Sequence, residues 1–495
     1  MSLWRKKSIT KLLADAENNE HGLKKTLTAT SLVALGIGAI IGAGLFVRTA
    51  AAAGGFAGNA VTISFIIAAI GCLFAGLCYA EFASMIPIAG SAYTYAYTTM
   101  GELVAWIIGW ALIMEYALGA ATVSIAWSEY LNNLFSGAIP YSLCHSPFEL
   151  SASGEHGLIN LPAIFIVLIL SLLLIKGTQE SARVNAIIVF IKVSIVLIFI
   201  VIGWKFMNPA NHSPYLIPAD APKVDLGNGQ SYDYSSAFNH GWLGVLRGAA
   251  YVFFAFIGFD AVSTAAQETK NPKRDMPIGI LGSLAICTVL YILFAHVLTG
   301  VAPFTDFIKA SAGKEASISY VIQHYMTGYS WLATLVTIAI LAGFSSVILV
   351  MLLGQSRVFY SMSNDGLLPK VFSHLHPKFR TPYKSNLILF LFVGLFAAFI
   401  PADVAGNLTA FGTLLAFVLV CFGVIIMRKA DPDRPRPFRT PFVPLFPILG
   451  IIVCGALICS LGLTTLLSAF GWMVLGLVIF FAYSRHHSNI GKESK

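Results

Sequence analysis

Long apolar runs constrain this chain more than any other feature of its sequence. A helix needs roughly 20 consecutive apolar residues to cross the hydrocarbon core of a bilayer, and about twelve stretches meet that requirement. Since lipid offers no hydrogen-bond partner to a backbone amide, each stretch is predicted to be a helix. The predicted spans are 31–53, 59–87, 99–131, 159–176, 184–204, 243–267, 277–301, 331–361, 386–400, 404–428, 443–467 and 469–484. The chain is therefore predicted to be an all-α integral membrane protein.

Composition excludes a soluble fold and gives no sign of an enzyme. Apolar residues make up 57% of the 495 residues and charged residues only 11%, far from the proportions of soluble domains. We find no phosphate-binding loop, no metal-ligand cluster with suitable spacing and no nucleophile motif. We therefore expect neither catalytic activity nor a cofactor. The net charge of +8 is explained by topology rather than by a nucleic-acid partner.

Basic residues are distributed unevenly between the two sides that twelve spans would create. Lysine and arginine concentrate in 1–30, 270–274, 357–384 and 428–439, which all fall on one side. In membrane proteins this excess marks the cytoplasmic segments. We therefore expect a cell-membrane protein with both termini in the cytoplasm, in which 1–30 is a tail or an interfacial helix and 485–495 is a second tail.

The first ten predicted spans divide into two sets of five. Because five is odd, the second set must cross the membrane in the opposite direction to the first, an arrangement called an inverted repeat. The predicted boundaries are 31–206 for the first repeat, 243–428 for the second repeat, and 443–484 for two additional helices.

Each repeat begins with a span that its own sequence weakens. The first span contains Gly36, Gly38, Gly42 and Gly44, and a glycine in a helix interior costs about 1 kcal/mol relative to alanine. The first span of the second repeat reads FFAFIGFD at 253–260. Close packing of helices through small residues is the alternative explanation. Interrupted helices at matching positions of both repeats favour a transport site between them.

An unwound segment in mid-membrane exposes amide groups on one side and carbonyl groups on the other. The amides of Gly42, Ala43 and Gly44 would head a half-helix whose positive dipole end suits a carboxylate. Carbonyl groups near Ile40 and within 254–257 would suit an ammonium group. The pattern therefore predicts a site for a zwitterion such as an α-amino acid.

Five segments resemble the amino acid–polyamine–organocation (APC) transporters, and among them the cationic amino-acid transporter branch. They are GAIIGAGLFV at 38–47, CYAEFASMIPIAGSAYTYAY at 78–97, GWALIMEYALGAATVSIAWSEY at 109–130, FFAFIGFDAVSTAAQETKNPKRDMPIGI at 253–280 and GQSRVFYSMSNDGLLP at 354–369. The resemblance covers nearly the whole chain. It implies the five-plus-five inverted repeat (the LeuT-like fold) that sodium-coupled neurotransmitter carriers share, and it implies amino-acid transport.

The resemblance also implies particular roles at the two interruptions. The substrate carboxylate is expected on the amides of Ala43 and Gly44. The substrate ammonium group is expected on the carbonyl oxygens of Ile40, Phe254, Ala255 and Ile257. Family members commonly have an aromatic gate where the second interruption begins, and Phe254 stands at that position.

Lys192 interrupts an apolar run deep inside the fifth predicted span. A charged side chain there costs at least ~2.5 kcal/mol on insertion scales, and desolvation disfavours the charged form of a lysine. A lysine that reaches an interface by snorkelling is the alternative. Proton-coupled members of the resembled family carry a lysine at this place, where sodium-coupled relatives have a cation site. The resemblance implies that Lys192 lies against carbonyl groups of the first span and couples transport to protons.

Glu115 and Asp260 are the other acids predicted in mid-membrane. The resemblance places Glu115 where the third span lines the pocket for the substrate side chain. There it would meet a cationic side chain or pair with Lys192, and a purely structural pairing is the alternative. Asp260 corresponds to an acid linked to proton sensing in some relatives, or else it caps a half-helix. Both acids are predicted to take part in proton coupling, with these alternatives open.

The sequence as a whole predicts a secondary active transporter that takes up L-amino acids together with protons by alternating access. A proton-independent exchanger or facilitator of cationic amino acids, and an amino-acid sensor on a transporter scaffold, are the alternatives. The substrate side chain is left open between cationic and small neutral types. Expected partners are the L-amino acid, protons and membrane lipid, while an accessory subunit stays open and no nucleic acid is expected.

Overall fold

The chain folds into a bundle of helices with one small strand hairpin. The computed structural model describes residues 4–17, 23, 25–42, 44–151, 154–227, 230–312 and 318–490. The α-helices are α1 (Ile9–Glu17), α2 (Ala29–Ile40), α3 (Thr49–Ala52), α4 (Val61–Met85), α5 (Ala92–Thr99), α6 (Glu102–Leu134), α7 (Tyr141–Cys144), α8 (Leu161–Lys176), α9 (Thr178–Gly203), α10 (Gly241–Val252), α11 (Ala261–Thr264), α12 (Pro272–Val301), α13 (Phe304–Ala312), α14 (Ile318–Tyr325), α15 (Ser330–Asn364), α16 (Tyr383–Phe399), α17 (Ala402–Ala430), α18 (Leu445–Cys459), α19 (Leu463–Ile479) and α20 (Arg485–His487).

Shorter elements connect these helices. Turns of 3₁₀-helix occupy Gly58–Ala60, Trp204–Phe206, Pro209–His212, Ala237–Asn239, Phe253–Phe256, Ala266–Glu268 and Lys370–Ser373, and π-helical turns occupy Gly44–Arg48, Ala53–Ala57 and Phe480–Ser484. The two strands, β1 (Val224–Gly227) and β2 (Gln230–Tyr232), pair in antiparallel fashion. The hairpin lies in the connection between α9 and α10.

The described part of the chain has eight helical segments that are long and apolar enough to cross a membrane. They are Gly44–Met85, Glu102–Leu134, Ser181–Phe206, Gly241–Thr264, Pro272–Val301, Ser330–Asn364, Leu408–Ala430 and Leu463–His487. The shorter apolar helices α2, α8, α16 and α18 coincide with other predicted spans. The structure therefore confirms a helical membrane protein.

The sequence predicts twelve spans, and the difference from eight has two physical reasons. The first predicted span is divided, because α2 ends at Ile40 and the helical turns that resume at Gly44 continue towards α4. In addition, α8, α16 and α18 contain only 16, 17 and 15 residues, fewer than the ~20 that usually cross a bilayer. The exact number of crossings and the inverted repeat therefore stay predictions.

The interior of the bundle is built around α6 and α12. Helix α6 packs against α15 and α17, and α12 packs against α2 and α4. Large side chains such as Trp106 and Tyr291 are fully buried there, whereas Leu172, Phe190 and Phe470 expose apolar side chains on α8, α9 and α19. An apolar outer surface of this kind is suited to lipid contact.

The two ends of the bundle differ in what covers them. One end carries both described chain termini, where Lys7 forms an ion pair with Asp365 and the Ser488 hydroxyl donates to Glu102 at 2.8 Å. We call this end the terminal face, and the opposite end, which carries the hairpin, the loop face. The predicted tail 1–30 contains α1, which lies on the terminal face.

Candidate functional site

The first interruption lies between α2 and the turns that begin at Gly44. Ile41 leaves the helical conformation with φ −76° and ψ 101°. Gly44 then passes so close to Ala255 that a Cβ atom on Gly44 would lie 2.6 Å from both the amide nitrogen and the Cβ of Ala255. No real Cβ contact is that short, so a glycine is required at this crossing. Ala43 lies outside the described residues.

The second interruption follows α10. The chain forms a 3₁₀ turn over Phe253–Phe256, Ile257 takes an extended conformation with ψ 136°, and α11 begins at Ala261. Gly258 has φ 110°, a left-handed conformation that favours glycine. Both interruptions that the sequence predicts are therefore present, and the two unwound segments cross each other at Gly44 and Ala255.

A small cavity lies at this crossing. It is lined by Ala39, Ile40, Gly42, Gly44, Gly119, Val123, Phe254, Ile257, Val347, Met351 and Thr409. Its volume is about 10 Å³, close to the minimum that holds one water molecule. Thr409 brings the one side-chain hydroxyl among these lining residues, so the cavity is almost entirely apolar.

Most of the predicted substrate-binding residues meet at this cavity. Ile40, Gly42, Gly44, Phe254 and Ile257 all line it. The sequence-based roles of their amide and carbonyl groups stay predictions, because the structure places no substrate against them.

Glu115 does not line the cavity, in contrast to its predicted place beside the substrate side chain. The lining residues of α6 are Gly119 and Val123, which follow Glu115 by one and two helical turns. A rise of 1.5 Å per residue puts Glu115 roughly 6 Å below Gly119, towards the terminal face. A role for Glu115 in substrate binding therefore stays a prediction that no contact with this cavity supports.

The hydroxyl of Tyr291 joins the two interruptions. It lies 2.7 Å from the carbonyl oxygen of Ile40 and 2.9 Å from that of Ala255. A phenol has one proton to donate, so these two carbonyl groups share one donor. Two of the carbonyl groups that the sequence assigns to the substrate ammonium are thus held by a protein side chain in this structure.

Lys192 is fully buried and lies against the first interruption. Its Nζ donates to the carbonyl oxygens of Gly38 at 2.8 Å and Ile41 at 2.7 Å. Ile41 O is one of the carbonyl groups released by the end of α2, and a charged donor makes a stronger hydrogen bond to it than a neutral one. Within the described part of the chain, no carboxylate lies within salt-bridge distance of Lys192. Its predicted role in proton coupling is not tested by this geometry.

Asn185 and Ser346 extend the contacts around Lys192. The Asn185 amide donates to the carbonyl oxygen of Ala34 at 3.0 Å. The Ser346 hydroxyl lies 2.5 Å from the Asn185 Oδ1 and 3.0 Å from the carbonyl oxygen of Gly38. Side chains of α9 and α15 therefore hold the last turns of α2 in place, and Gly38 is fixed by both Lys192 and Ser346.

Glu115 and Asp260 are both buried below the cavity. The Tyr116 hydroxyl donates to Asp260 Oδ2 at 2.6 Å, and the two carboxyl groups are close enough to interact electrostatically. The Glu115 carboxyl lies beside the Thr413 hydroxyl, which donates to the carbonyl oxygen of Thr409 at 3.1 Å. Their predicted proton-coupling roles remain predictions.

Buried ion pairs close the terminal face. Arg357 donates from Nη2 and Nε to Glu268 Oε1 at 2.6 and 3.1 Å, and both side chains are buried. The backbone carbonyl of Glu268 accepts hydrogen bonds from the amides of Thr26 at 2.8 Å and Leu27 at 2.9 Å. These contacts tie α15, the segment after α11 and the start of the chain together below the cavity.

Replacing Arg357 by glutamine is expected to destabilise the folded protein by about 3–5 kcal/mol, because it removes the buried arginine cation that pairs with the buried Glu268 carboxylate. The double variant Glu268→Gln, Arg357→Gln is expected to be more stable than Arg357→Gln alone. Arg434→Gln, which removes an ion pair to Asp431 with both side chains partly exposed, is the matched control, with at most ~1 kcal/mol expected. Thermal unfolding of the purified variants in detergent gives the order of their stabilities. Equal stability of Arg357→Gln and the control would contradict the prediction.

Several residues at the site escaped the sequence analysis. Tyr291 and Thr409 lie within apolar or small-residue runs and show no spacing that marks them. Arg48 and Asn185 are polar residues near the ends of predicted spans, where polar residues are ordinary. Contacts between elements distant in sequence give these residues their place, and a single sequence does not report such contacts.

Comparison with known proteins finds a matching family model and several similar transporters. A family model described as amino acid permease matches residues 27–485. The branched-chain amino acid permease BcaP of Bacillus subtilis (strain 168) is 44% identical over 99% of both chains. The methylthioribose transporter of the same organism is 38% identical over 99% of this chain and 100% of its own length. Cationic amino acid transporter 4, vacuolar, of Arabidopsis thaliana is 33% identical over 87% of this chain and 68% of its own.

These matches confirm the resemblance found in the sequence. The family model spans most of the chain, and the three relatives are at least 33% identical to it over the aligned residues. They are transporters, which agrees with several helices long and apolar enough to cross a membrane and excludes an enzyme. The chain belongs to the amino acid permease family of the APC superfamily and is a multi-pass membrane protein that transports amino acids.

Proposed function

We propose that the protein is a proton-coupled symporter that takes up neutral L-amino acids with apolar side chains. The observation that carries this proposal is the apolar cavity between the two interruptions, beside a first interruption whose carbonyl groups are held by the ammonium group of Lys192. The cavity supports the substrate class, and the lysine supports the coupling ion.

The lining favours neutral over cationic side chains. Val123, Val347 and Met351 would surround a substrate side chain with hydrocarbon, and a charge transferred there without a partner is very costly. Glu115, the acid expected to meet a cation, lies below the cavity rather than in its lining. The relative that is named a branched-chain amino acid permease supports this choice, while a relative named as a cationic amino acid transporter supports the alternative.

The backbone at the crossing would recognise the parts common to all α-amino acids. Gly44 begins the helical turns after the first interruption, and the amides of Gly42 and Gly44 would bind the carboxylate. The carbonyl groups of Ile40, Ala255 and neighbouring residues would accept from the ammonium group. Since Tyr291 shares its proton between Ile40 and Ala255, substrate binding would compete with this hydroxyl.

Lys192 would couple transport to protons through the first interruption. With its ammonium group charged, it stabilises the carbonyl groups of Gly38 and Ile41 with two charge-assisted hydrogen bonds. Loss of the proton would weaken both bonds and shift the equilibrium between conformations that bind substrate from one face or the other. Glu115 and Asp260, which neighbour each other below the cavity, would receive or pass on the proton.

Alternating access would follow from how the site is closed. The buried contacts of Glu268 and Arg357 close it on the terminal face, and Phe254 would act as the gate towards the loop face. The proposal places the terminal face and both chain ends in the cytoplasm of a cell-membrane protein with twelve spans, arranged as repeats 31–206 and 243–428. No resident cofactor takes part, since the proton gradient supplies the driving force.

Uptake into proteoliposomes tests this function. Labelled leucine and alanine are expected to accumulate when a proton gradient points inward, and a protonophore is expected to abolish the accumulation. Labelled arginine is expected to show at most a small fraction of that uptake. Equal leucine uptake with and without the gradient would contradict coupling and favour an exchanger or facilitator, and preferred accumulation of arginine would contradict the substrate class.

A further inference from the structure

Arg48 lies on the loop-face side of the cavity, at the end of the helical turns that follow the first interruption. Its guanidinium carbon lies 4.9 Å from the centre of the Phe254 ring and 4.5 Å from the centre of the Tyr251 ring. These distances are within the range of cation–π interactions. Phe254 lines the cavity, so the positive charge of Arg48 lies against a ring of the cavity wall.

The other neighbours of Arg48 also adjoin the cavity. A Cβ atom on Gly406 would lie 2.5 Å from Arg48 Nη2, so the absence of a side chain at Gly406 makes the room for the guanidinium group. Gly406 precedes the lining residue Thr409 by one turn of α17. The Arg48 side chain is partly exposed, and a solute that approaches from the loop face therefore meets this charge before it reaches Phe254.

We propose that Arg48 is a specificity-determining residue that covers the cavity on the loop face and excludes cationic amino acids. The proposal rests on the proposed function, because it assumes that substrate passes Phe254 to reach the cavity. It names a part of substrate selection that the apolar lining does not provide, namely discrimination by charge before the substrate is enclosed.

The physical basis is repulsion near a low-dielectric site. An α-amino acid with a neutral side chain carries no net charge, so its carboxylate and ammonium interactions with a nearby guanidinium group largely offset each other. A lysine or arginine substrate carries one additional positive charge, and that charge is repelled by Arg48 at short range, where water screens it incompletely. A single like charge in the path of a ligand accordingly acts against one class of substrate.

Leucine counterflow provides the test because it needs no proton gradient. Proteoliposomes loaded with unlabelled leucine take up labelled leucine from outside, and external norleucine or lysine competes with it. These two competitors differ by the ammonium group at the end of the side chain. The ratio of their inhibitory concentrations is measured for the wild type, Arg48→Gln and Arg48→Lys.

Arg247→Gln is the matched control. Arg247 also has its guanidinium carbon over an aromatic ring, 4.3 Å from the centre of Phe56, and it donates to Asn239 Oδ1 at 2.7 Å. It is partly exposed, lies in the middle of α10 and does not contact a residue of the cavity lining in these interactions. The two arginines thus share chemistry and exposure and differ in position.

Arg48→Gln is expected to lower the discrimination against lysine by about tenfold, because it removes the repulsion between two positive charges at the entrance to the site. Arg48→Lys and Arg247→Gln are expected to keep the wild-type ratio within about twofold. An unchanged ratio in Arg48→Gln, or an equal loss in Arg48→Lys, would overturn the proposal, since a merely structural role would change leucine flux without changing the ratio.

Failure of the proposed function would be recognised separately. Absence of leucine counterflow in the wild type would contradict transport itself and leave the charge discrimination measurable by another means. Stabilisation of the purified protein against heat by norleucine and by lysine gives the same comparison without any flux. If Arg48→Gln changes neither the ratio of inhibitory concentrations nor the ratio of thermal stabilisation by norleucine and lysine, the proposal fails regardless of the transport result.

Discussion

Replacing Lys192 by methionine is expected to abolish proton-driven accumulation of leucine, with a loss of at least about tenfold. The side chain keeps its volume, but the carbonyl groups of Gly38 and Ile41 lose the donor that now lies 2.8 and 2.7 Å away. A hydrogen bond to a charged group contributes about 1.5–3 kcal/mol, so the energetic link between protonation and the first interruption disappears. Uptake into proteoliposomes with and without an inward proton gradient measures the effect.

Leucine counterflow should survive this change in part, because exchange needs the binding site but no proton site. That second measurement separates a loss of coupling from a loss of folding, and a monodisperse profile on size-exclusion chromatography supports it. Lys176→Met is the matched control, since Lys176 is an exposed lysine at the end of α8. Gradient-driven accumulation that persists in Lys192→Met would contradict the proposed role of this lysine.

Adding a single methyl group at Gly44 is expected to reduce leucine transport by about ten- to hundredfold. In Gly44→Ala the new Cβ would lie 2.6 Å from the amide nitrogen and the Cβ of Ala255, and the backbone there has no flexible side chain that could move aside. Overpacking of this kind costs about 1–3 kcal/mol, which corresponds to the expected range. The crossing of the two interruptions would be forced apart at the cavity wall.

Gly455→Ala is the matched control for this effect. Gly455 lies in α18, and an added Cβ there meets no atom within 4 Å. Its transport should equal that of the wild type, because the only expected change is a small gain in helix stability of about 1 kcal/mol. Counterflow and gradient-driven uptake of both variants are compared at equal protein content. Wild-type activity in Gly44→Ala would show that the two segments need not touch during transport.

The main features of the site could be predicted because each leaves a local trace. Lys192 stands out as the charge within an apolar run, and Gly42 and Gly44 stand out as helix-weakening residues in a span. Such traces follow from the cost of charge and of broken helices in lipid. The sequence could therefore indicate where both interruptions lie, and the resemblance to APC transporters implied that Lys192 faces the first of them.

The placement of Glu115 shows where that kind of inference ends. Glu115 lies on the same face of α6 as Gly119 and Val123, which follow it at intervals of four residues and line the cavity. The resemblance placed Glu115 beside the substrate side chain, whereas the position of the cavity along α6 depends on residues such as Phe254 and Ile257, which share its wall with Gly119. Periodicity gives the face of a helix, whereas the height of a contact depends on a neighbour far away in the sequence.

The sequence by itself determined that this protein is a helical membrane protein with spans interrupted near Gly42 and within 253–260, because lipid penalises charge and unpaired backbone at each residue separately. Only the tertiary structure decided that Tyr291 joins Ile40 to Ala255, that the cavity is apolar, and that Arg48 covers Phe254. These contacts join residues that lie as many as 251 positions apart. Packing of the whole bundle sets them, and no local preference of the chain does.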